Sequence, residues 1–247
     1  MGRAGLGLGG LLLVLVFGMC FGVDISGLVG GGGGGVSSAG PTEQATEPTD
    51  DAAQMIDAVL RETELVWGEL YSESGETYRE PNLVLYTGTT QTGCGYGQAA
   101  MGPFYCPRDQ TVYMDLSFFN QLQRMGARGE FAVAYVIAHE VAHHVQNQEG
   151  LLSQSRSNAM SVRTELQADC LAGIWTHHAQ DEEGRIELNE SDIESGISAA
   201  AAVGDDAIQQ GAGQAVRPES FTHGSSRQRV DAFLSGYRSG DYGVCFS

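Results

Sequence analysis

The spacing of apolar residues divides the chain into a first helix, two strands and a longer helical region. In residues 52–71 the apolar side chains recur at helical spacing, which predicts one amphipathic helix. Residues 82–87 and 111–116 form short runs typical of strands, and the Gly-rich segments between them predict turns.

The pattern after the second strand is mostly helical. Helices are predicted over residues 117–125, 131–148, 161–179, 190–203 and 219–237. A helix, a small sheet and then a run of helices indicate an α+β fold. We expect a small antiparallel sheet followed by a mostly helical C-terminal half.

The beginning of the chain is apolar without interruption. Residues 5–23 carry no charge, and their length is close to the roughly 20 residues that span a bilayer. Arg3 precedes this run and Asp24 follows it, so the positive-inside bias places the N-terminus in the cytoplasm. We therefore predict an anchor over residues 1–29 of a single-pass cell-membrane protein whose C-terminal domain is extracytoplasmic. A cleaved signal peptide, which would give a secreted protein, is the alternative.

A change of composition separates this segment from the rest. Residues 30–51 begin with a run of glycines and continue with Ser, Thr, Pro and acidic residues, which predicts a flexible linker. The folded domain is then residues 52–247. The net charge of −18 argues against nucleic acid as a partner, because phosphates attract basic surfaces.

The helix predicted at 131–148 contains the motif H-E-x-x-H, formed by His139, Glu140 and His143. Residues four apart lie on one helix face, so both imidazoles can reach one Zn²⁺. Glu140 lies about 100° further round, where it can act as the general base of a zinc hydrolase. The alternative is a helix with partly exposed polar residues and no metal.

A zinc hydrolase needs a third protein ligand, and the next predicted helix offers Glu165 and Asp169 on one face. We expect Glu165 to bind the metal, because its longer side chain spans the gap between two packed helices. Asp169 would then accept a hydrogen bond from a liganding imidazole. The alternatives are that Asp169 is the ligand, or that both carboxylates are solvated.

Three other histidines fit the metal less well. His144 adjoins His143 and points about 100° away on the same helix. His177 and His178 follow Glu165 by a distance of roughly 18–20 Å along a continuous helix. The segment F-T-H-G-S-S-R-Q-R adds His223, which could donate to the oxyanion of a tetrahedral intermediate. The alternative for this segment is a capped helix N-terminus with surface arginines.

Four cysteines lie in the predicted domain, and an even number in an oxidising compartment indicates disulfides. Cys94 and Cys106 enclose a short loop with Gly and Pro, so we pair them, which leaves Cys170 with Cys245. Buried free thiols are the alternative. A cysteine zinc site is disfavoured, because no C-x-x-C spacing occurs.

Four stretches together resemble the neutral zinc metallopeptidases of bacteria, which are membrane-anchored and of gluzincin type. They are G-C-G-Y-G-Q-A-A-M-G-P-F-Y-C-P, A-H-E-V-A-H-H-V-Q, E-L-Q-A-D-C-L-A-G-I-W and F-T-H-G-S-S-R-Q-R. The resemblance implies a zincin-like domain with His139, His143 and Glu165 as zinc ligands and Glu140 as base. The motif order also resembles the CAAX-processing membrane metallopeptidases, whose several membrane spans this chain lacks. Ala142 stands where the family commonly has Gly, and alanine favours the helix.

These features predict a zinc-dependent endopeptidase that acts on peptide or protein substrates, with Glu140 and His223 as catalytic residues. The gluzincin resemblance suggests that the substrate lies extended along an edge strand, for which residues 111–116 are the candidate. One alternative is a non-catalytic, zinc-bearing, membrane-tethered scaffold whose fourth ligand is His144 or His177. Another is a zinc amidase that acts on cell-wall peptides.

Overall fold

The computed structural model describes residues 50–98, 102–127, 129–152, 157–180 and 188–246. The fold is α+β, as predicted. The helices are α1 (Asp50–Glu73), α2 (Phe118–Arg124), α3 (Glu130–Gln148), α4 (Asn158–Ala179), α5 (Glu190–Ala202), α6 (Asp205–Gly211) and α7 (Ser226–Ser239). The strands are β1 (Asn82–Tyr86), β2 (Thr89–Thr92), β3 (Gly95–Gln98), β4 (Phe104–Cys106) and β5 (Thr111–Asp115). Short 3₁₀ helices cover Pro218–Ser220 and Tyr242–Phe246.

The larger sheet has the strand order β1-β5-β4 and is mixed rather than purely antiparallel. Strand β5 pairs with β1 in parallel and with β4 antiparallel, and all five of its residues are buried. The candidate substrate strand at residues 111–116 was therefore wrong, because a central strand has no free backbone edge. Strand β4 is an edge strand of this sheet.

Helix α3 lies at the centre of the core. Its side chains are buried on almost every side, which is typical of a helix that is apolar all round. It packs against α1, α4 and α5 and against the mixed sheet. The polar motif residues near its end are therefore held by well-packed apolar surroundings.

Helices α4 and α7 approach each other backbone to backbone. A Cβ atom added to Gly236 would lie 1.9 Å from the carbonyl oxygen of Cys170. One added to Gly173 would lie 2.1 Å from the carbonyl oxygen of Phe233. Because any side chain at either glycine would push the helices apart, these glycines set the spacing between α4 and α7.

Both predicted disulfides are present. Cys94–Cys106 joins the turn between β2 and β3 to the end of β4. Cys170–Cys245 ties the C-terminal 3₁₀ helix to α4. Each bond therefore fastens a peripheral element to one that borders the core.

The helix predicted over residues 219–237 begins later than expected. The side chain of Ser225 accepts a hydrogen bond from the backbone of Gln228, whose own side chain accepts one from the backbone of Ser225. This capping box starts α7 at Ser226. Gly224 precedes it with a φ of 97°, a conformation that a helix cannot contain.

The predicted membrane location is corrected by the structure. Among the residues that the structure describes, no helix is both long enough and apolar enough to cross a bilayer. The predicted anchor at residues 1–29 lies outside the described residues, as does nearly all of the predicted linker at residues 30–51.

Candidate metal centre

Helix α3 presents the H-E-x-x-H motif to a cavity inside the domain. His139 and His143 lie one turn apart, and their ring centroids are 4.8 Å from each other. Glu140 is 8% exposed and also borders the cavity. The side chains of the motif thus lie together at the cavity wall, as the helical spacing predicts.

Helix α4 brings Glu165 to the two imidazoles. Its Oε2 lies 3.2 Å from Nε2 of His139, and its Oε1 lies 3.6 Å from Nε2 of His143. One donor atom from each of the three residues lies within 4.8 Å of the other two. Among the described residues, no fourth His, Cys, Asp or Glu joins this group.

The hydrogen bonds behind the imidazoles orient both rings. Nδ1 of His139 lies 2.9 Å from Oδ1 of Asp169, and Nδ1 of His143 lies 2.8 Å from Oε1 of Gln146. The amide of Gln146 is itself fixed, because its nitrogen donates to the carbonyl of Thr164 at 2.8 Å. With a hydrogen on each Nδ1, both Nε2 lone pairs point towards Glu165. Two imidazole nitrogens and one carboxylate with such supporting acceptors fit Zn²⁺.

Asp169 is fully buried and is held by three side chains. Arg229 donates to its two oxygens, from Nε at 2.8 Å and from Nη2 at 2.9 Å. The hydroxyl of Tyr135 donates to Oδ1, the same oxygen that accepts from His139. Arg229 also donates to the carbonyl of Val203 at 3.1 Å, which links α7 to the end of α5. The carboxylate that orients His139 is therefore itself fixed on both oxygens.

The charges at this centre are strongly coupled. Burial alone would raise the pKa of Glu165, but His143 and His139 hold it well below its ordinary value. Burial lowers the pKa of His139, but the carboxylates of Asp169 and Glu165 outweigh this effect and raise it to about 10. A cation that binds here must therefore displace protons from the histidines, which makes its affinity depend on pH.

His223 borders the same cavity as the motif residues. Its Nδ1 lies 3.1 Å from Oδ1 of Asp205, the first residue of α6. The other oxygen of Asp205 accepts from the backbone nitrogens of Thr222, His223 and Gly224 at 2.7 to 3.0 Å. Burial would raise the pKa of Asp205, but its bonds to His223 and to these backbone groups lower it. Asp205 therefore fixes both the backbone and the ring of His223.

The remaining histidine candidates lie elsewhere. His144 accepts from the hydroxyl of Tyr105 at 2.9 Å and donates to the carbonyl of Arg79. His177 and His178 lie near the last turn of α7, where they contact the carbonyls of Tyr237 and Gly240. Glu165, His177 and His178 lie on one continuous helix, α4, as the argument made from the sequence requires.

The cavity has a volume of about 340 Å³. It is lined by the His and Glu donors and by apolar side chains from several elements. The edge strand β4 and the two residues that precede it form part of its rim. In the described part of the sheet, β4 pairs with β5 alone.

A model of the family described as "Putative neutral zinc metallopeptidase" matches residues 1–247 of this chain. The chain belongs to this family. A relative in Escherichia coli (strain K12), "Uncharacterized protein YpfJ", is 45% identical over 252 residues, which cover 97% of this chain and 86% of the relative. "Uncharacterized protein Rv2575" of Mycobacterium tuberculosis (strain ATCC 25618 / H37Rv) is 45% identical over 182 residues, or 68% of this chain and 62% of the relative. No solved structure matches.

Three supporting residues of this metallopeptidase-family centre were not predicted. Tyr135 and Gln146 lie four residues before His139 and three residues after His143, so helical spacing alone could have suggested both. Asp205 lies eighteen residues before His223, and no periodicity connects the two. Arg229 entered the sequence analysis only as one of the surface arginines of its segment, and the structure instead places it against Asp169.

Proposed function

We propose that the protein is a zinc-dependent endopeptidase with Glu140 as its general base, and that residues 52–247 form its catalytic domain. One observation carries the proposal: Nε2 of His139, Nε2 of His143 and the carboxylate of Glu165 converge at a cavity that Glu140 also borders. A structural zinc site has no use for a base beside it. A carboxylate next to two helical histidines is typical of metal-assisted peptide hydrolysis.

Each residue then has a chemical task. His139, His143 and Glu165 hold Zn²⁺, which when bound polarises the scissile carbonyl and makes a water molecule more acidic. Glu140 takes a proton from the attacking water and passes it to the leaving amine. Asp169 and Gln146 keep the two imidazoles in the tautomer that leaves Nε2 free.

His223 is proposed to stabilise the oxyanion. Asp205 contacts Nδ1 and the ring borders the cavity, so Nε2 is the ring nitrogen that we propose as the donor to the oxyanion. Hydrogen-bond donors held in place before the reaction stabilise developing charge without further reorganisation. The role of His223 therefore depends on Asp205 as the residue that positions it.

The substrate is proposed to bind in an extended conformation along β4. This strand pairs only with β5 in the described part of the sheet, so its other edge can accept an added strand. Phe104 and Tyr105 of β4 border the cavity that contains the three donors. Backbone pairing on this edge would bring the scissile bond past Glu140.

The scaffold alternative lacks support among the described residues. A closed zinc site needs a fourth protein ligand, and both His144 and His177 are engaged away from the three donors. Cleavage of casein, compared with cleavage of muropeptides, would separate the endopeptidase from the zinc amidase.

The test is the substitution Glu140→Gln in the full chain, with zinc content and casein hydrolysis measured with and without chelator. We expect the variant to keep stoichiometric zinc and to lose turnover. The matched control is Glu130→Gln, the same change at an exposed position on the same helix, which should keep full activity. Undiminished hydrolysis by zinc-loaded Glu140→Gln would contradict the proposal.

A further inference from the structure

Apolar side chains from several helices line the cavity beside the metal-binding donors. These side chains come from four parts of the fold: the two ends of α2, the middle of α3, the end of α5 and the short helix α6. They are Phe118, Met125, Val136, Val203 and Ile208. Since apolar side chains from so many elements converge on one space, we define these five residues as the apolar subsite.

The apolar subsite adjoins the reacting atoms. Val136 lies four residues before Glu140 on α3, so it occupies the same face about one turn away. The charged residues that border the cavity are Glu140, Glu165 and Arg229, with the histidines, and all of them belong to the metal centre or its support. Asp205 lies close to Val203 and Ile208 in the chain, but its oxygens are directed to His223 and its backbone.

A charged substrate side chain in this subsite would therefore lose its hydration without gaining a counter-ion. An apolar side chain would lose nothing and would bury its surface against five apolar neighbours. The cavity of about 340 Å³ is at the small end for ligand pockets, so it suits one side chain and the adjoining backbone.

We infer that the apolar subsite sets cleavage specificity, and that it takes a Leu, Met or Phe side chain next to the scissile bond. This inference rests on the proposed endopeptidase function. Ile208 is the position to probe, because α6 supplies none of the three metal-binding donors and the side chain is partly exposed. Because Ile208 lines the cavity, a charge placed there would act on a side chain bound in it.

The experiment measures kcat/KM of the zinc-loaded full chain on short Ala- and Gly-based peptides with one variable residue. We expect kcat/KM for the peptide with Leu to be at least about 10-fold higher than for the peptide with Ala, because each methylene group buried in an apolar pocket favours the transition state. Peptides with Glu or Lys at that position should be worse than Ala. Equal rates for Leu, Ala, Glu and Lys would overturn the inference.

Two substitutions of opposite charge sharpen the test. Ile208→Lys should raise kcat/KM for the peptide with Glu relative to the peptide with Leu. Ile208→Glu should instead raise kcat/KM for the peptide with Lys relative to the peptide with Leu. The control is Val216→Lys, an equally drastic change at a residue that is 39% exposed and does not border the cavity. It should leave every preference unchanged. Unaltered preferences in both Ile208 variants, with zinc content intact, would contradict the subsite.

Binding measurements keep this inference separate from the proposed function. In zinc-loaded Glu140→Gln, fluorescence anisotropy reports the affinity of the same labelled peptides without turnover. If the wild-type protein cleaves nothing but this variant still prefers the Leu peptide, the endopeptidase proposal fails and the subsite stands. If the variant binds all peptides equally, the subsite fails whatever the cleavage assay shows.

Discussion

Arg229→Met should strongly destabilise the fold, because it leaves the carboxylate of Asp169 buried without its counter-ion. Asp169 has 0% exposure, and Arg229 makes two hydrogen bonds to it at 2.8 and 2.9 Å. Removing one partner of such a buried pair costs about 3–5 kcal/mol in the free energy of unfolding. For a domain of this size, that corresponds to a fall in Tm of roughly 6–20 °C.

The assay is urea unfolding of the chelator-treated protein under non-reducing conditions, so that neither bound metal nor broken disulfides affect the comparison. Arg227→Met is the matched control. Arg227 lies two residues away on the same helix, its side chain is 91% exposed, and its nearest partner atom on Asp231 is 3.6 Å away. A surface pair of this kind contributes at most about 1 kcal/mol. Equal stability losses in the two variants would refute the reasoning.

Three further predictions concern the metal ligands, the support of His223 and the cysteines. In competition titrations, Glu165→Ala should lower zinc affinity far more than Asp169→Asn, for which we expect a loss of about 10- to 100-fold. If Asp169→Asn caused the larger loss, Asp169 would be the ligand and Glu165 its support. Asp205→Asn should cost about 1–3 kcal/mol of stability at neutral pH. Because the pKa of Asp205 is lowered in the folded protein, the stability difference between the wild-type protein and Asp205→Asn should be complete above about pH 4 and shrink on further acidification. A stability difference in urea unfolding that stays constant across that range would contradict the prediction. Peptide mapping of the non-reduced protein should recover Cys94–Cys106 and Cys170–Cys245, and four alkylatable thiols at these positions would contradict both bonds.

The local part of the centre could be predicted because helix geometry alone determines it. A spacing of four places His139 and His143 on one face, whatever the rest of the chain does. Glu165 was within reach of the same reasoning, since the intervening segment is long enough for α4 to return beside α3. The two glutamates and the two histidines of the candidate site lie together as this argument requires.

The long-range parts could not be predicted in the same way. Arg227 and Arg229 lie two residues apart on α7, so they point to different sides, and only the packing of α7 decides which one is buried. Strand β5 looks like any half-buried strand in the sequence, and its central place depends on pairing with β1 across a long segment. Strands β2 and β3 contain mainly Gly, Thr and Gln, which favour turns or strands only weakly.

The pairing of Asp169 with Arg229 has a consequence for the order in which the chain is made. All three proposed zinc ligands have been synthesised by residue 165, but the counter-ion of Asp169 arrives 60 residues after it, in the last α-helix. A nascent chain that lacks α7 therefore contains every proposed ligand but lacks the guanidinium that donates to both oxygens of Asp169. We therefore expect a chain cut before α7 to bind zinc less tightly, although no proposed ligand had been removed.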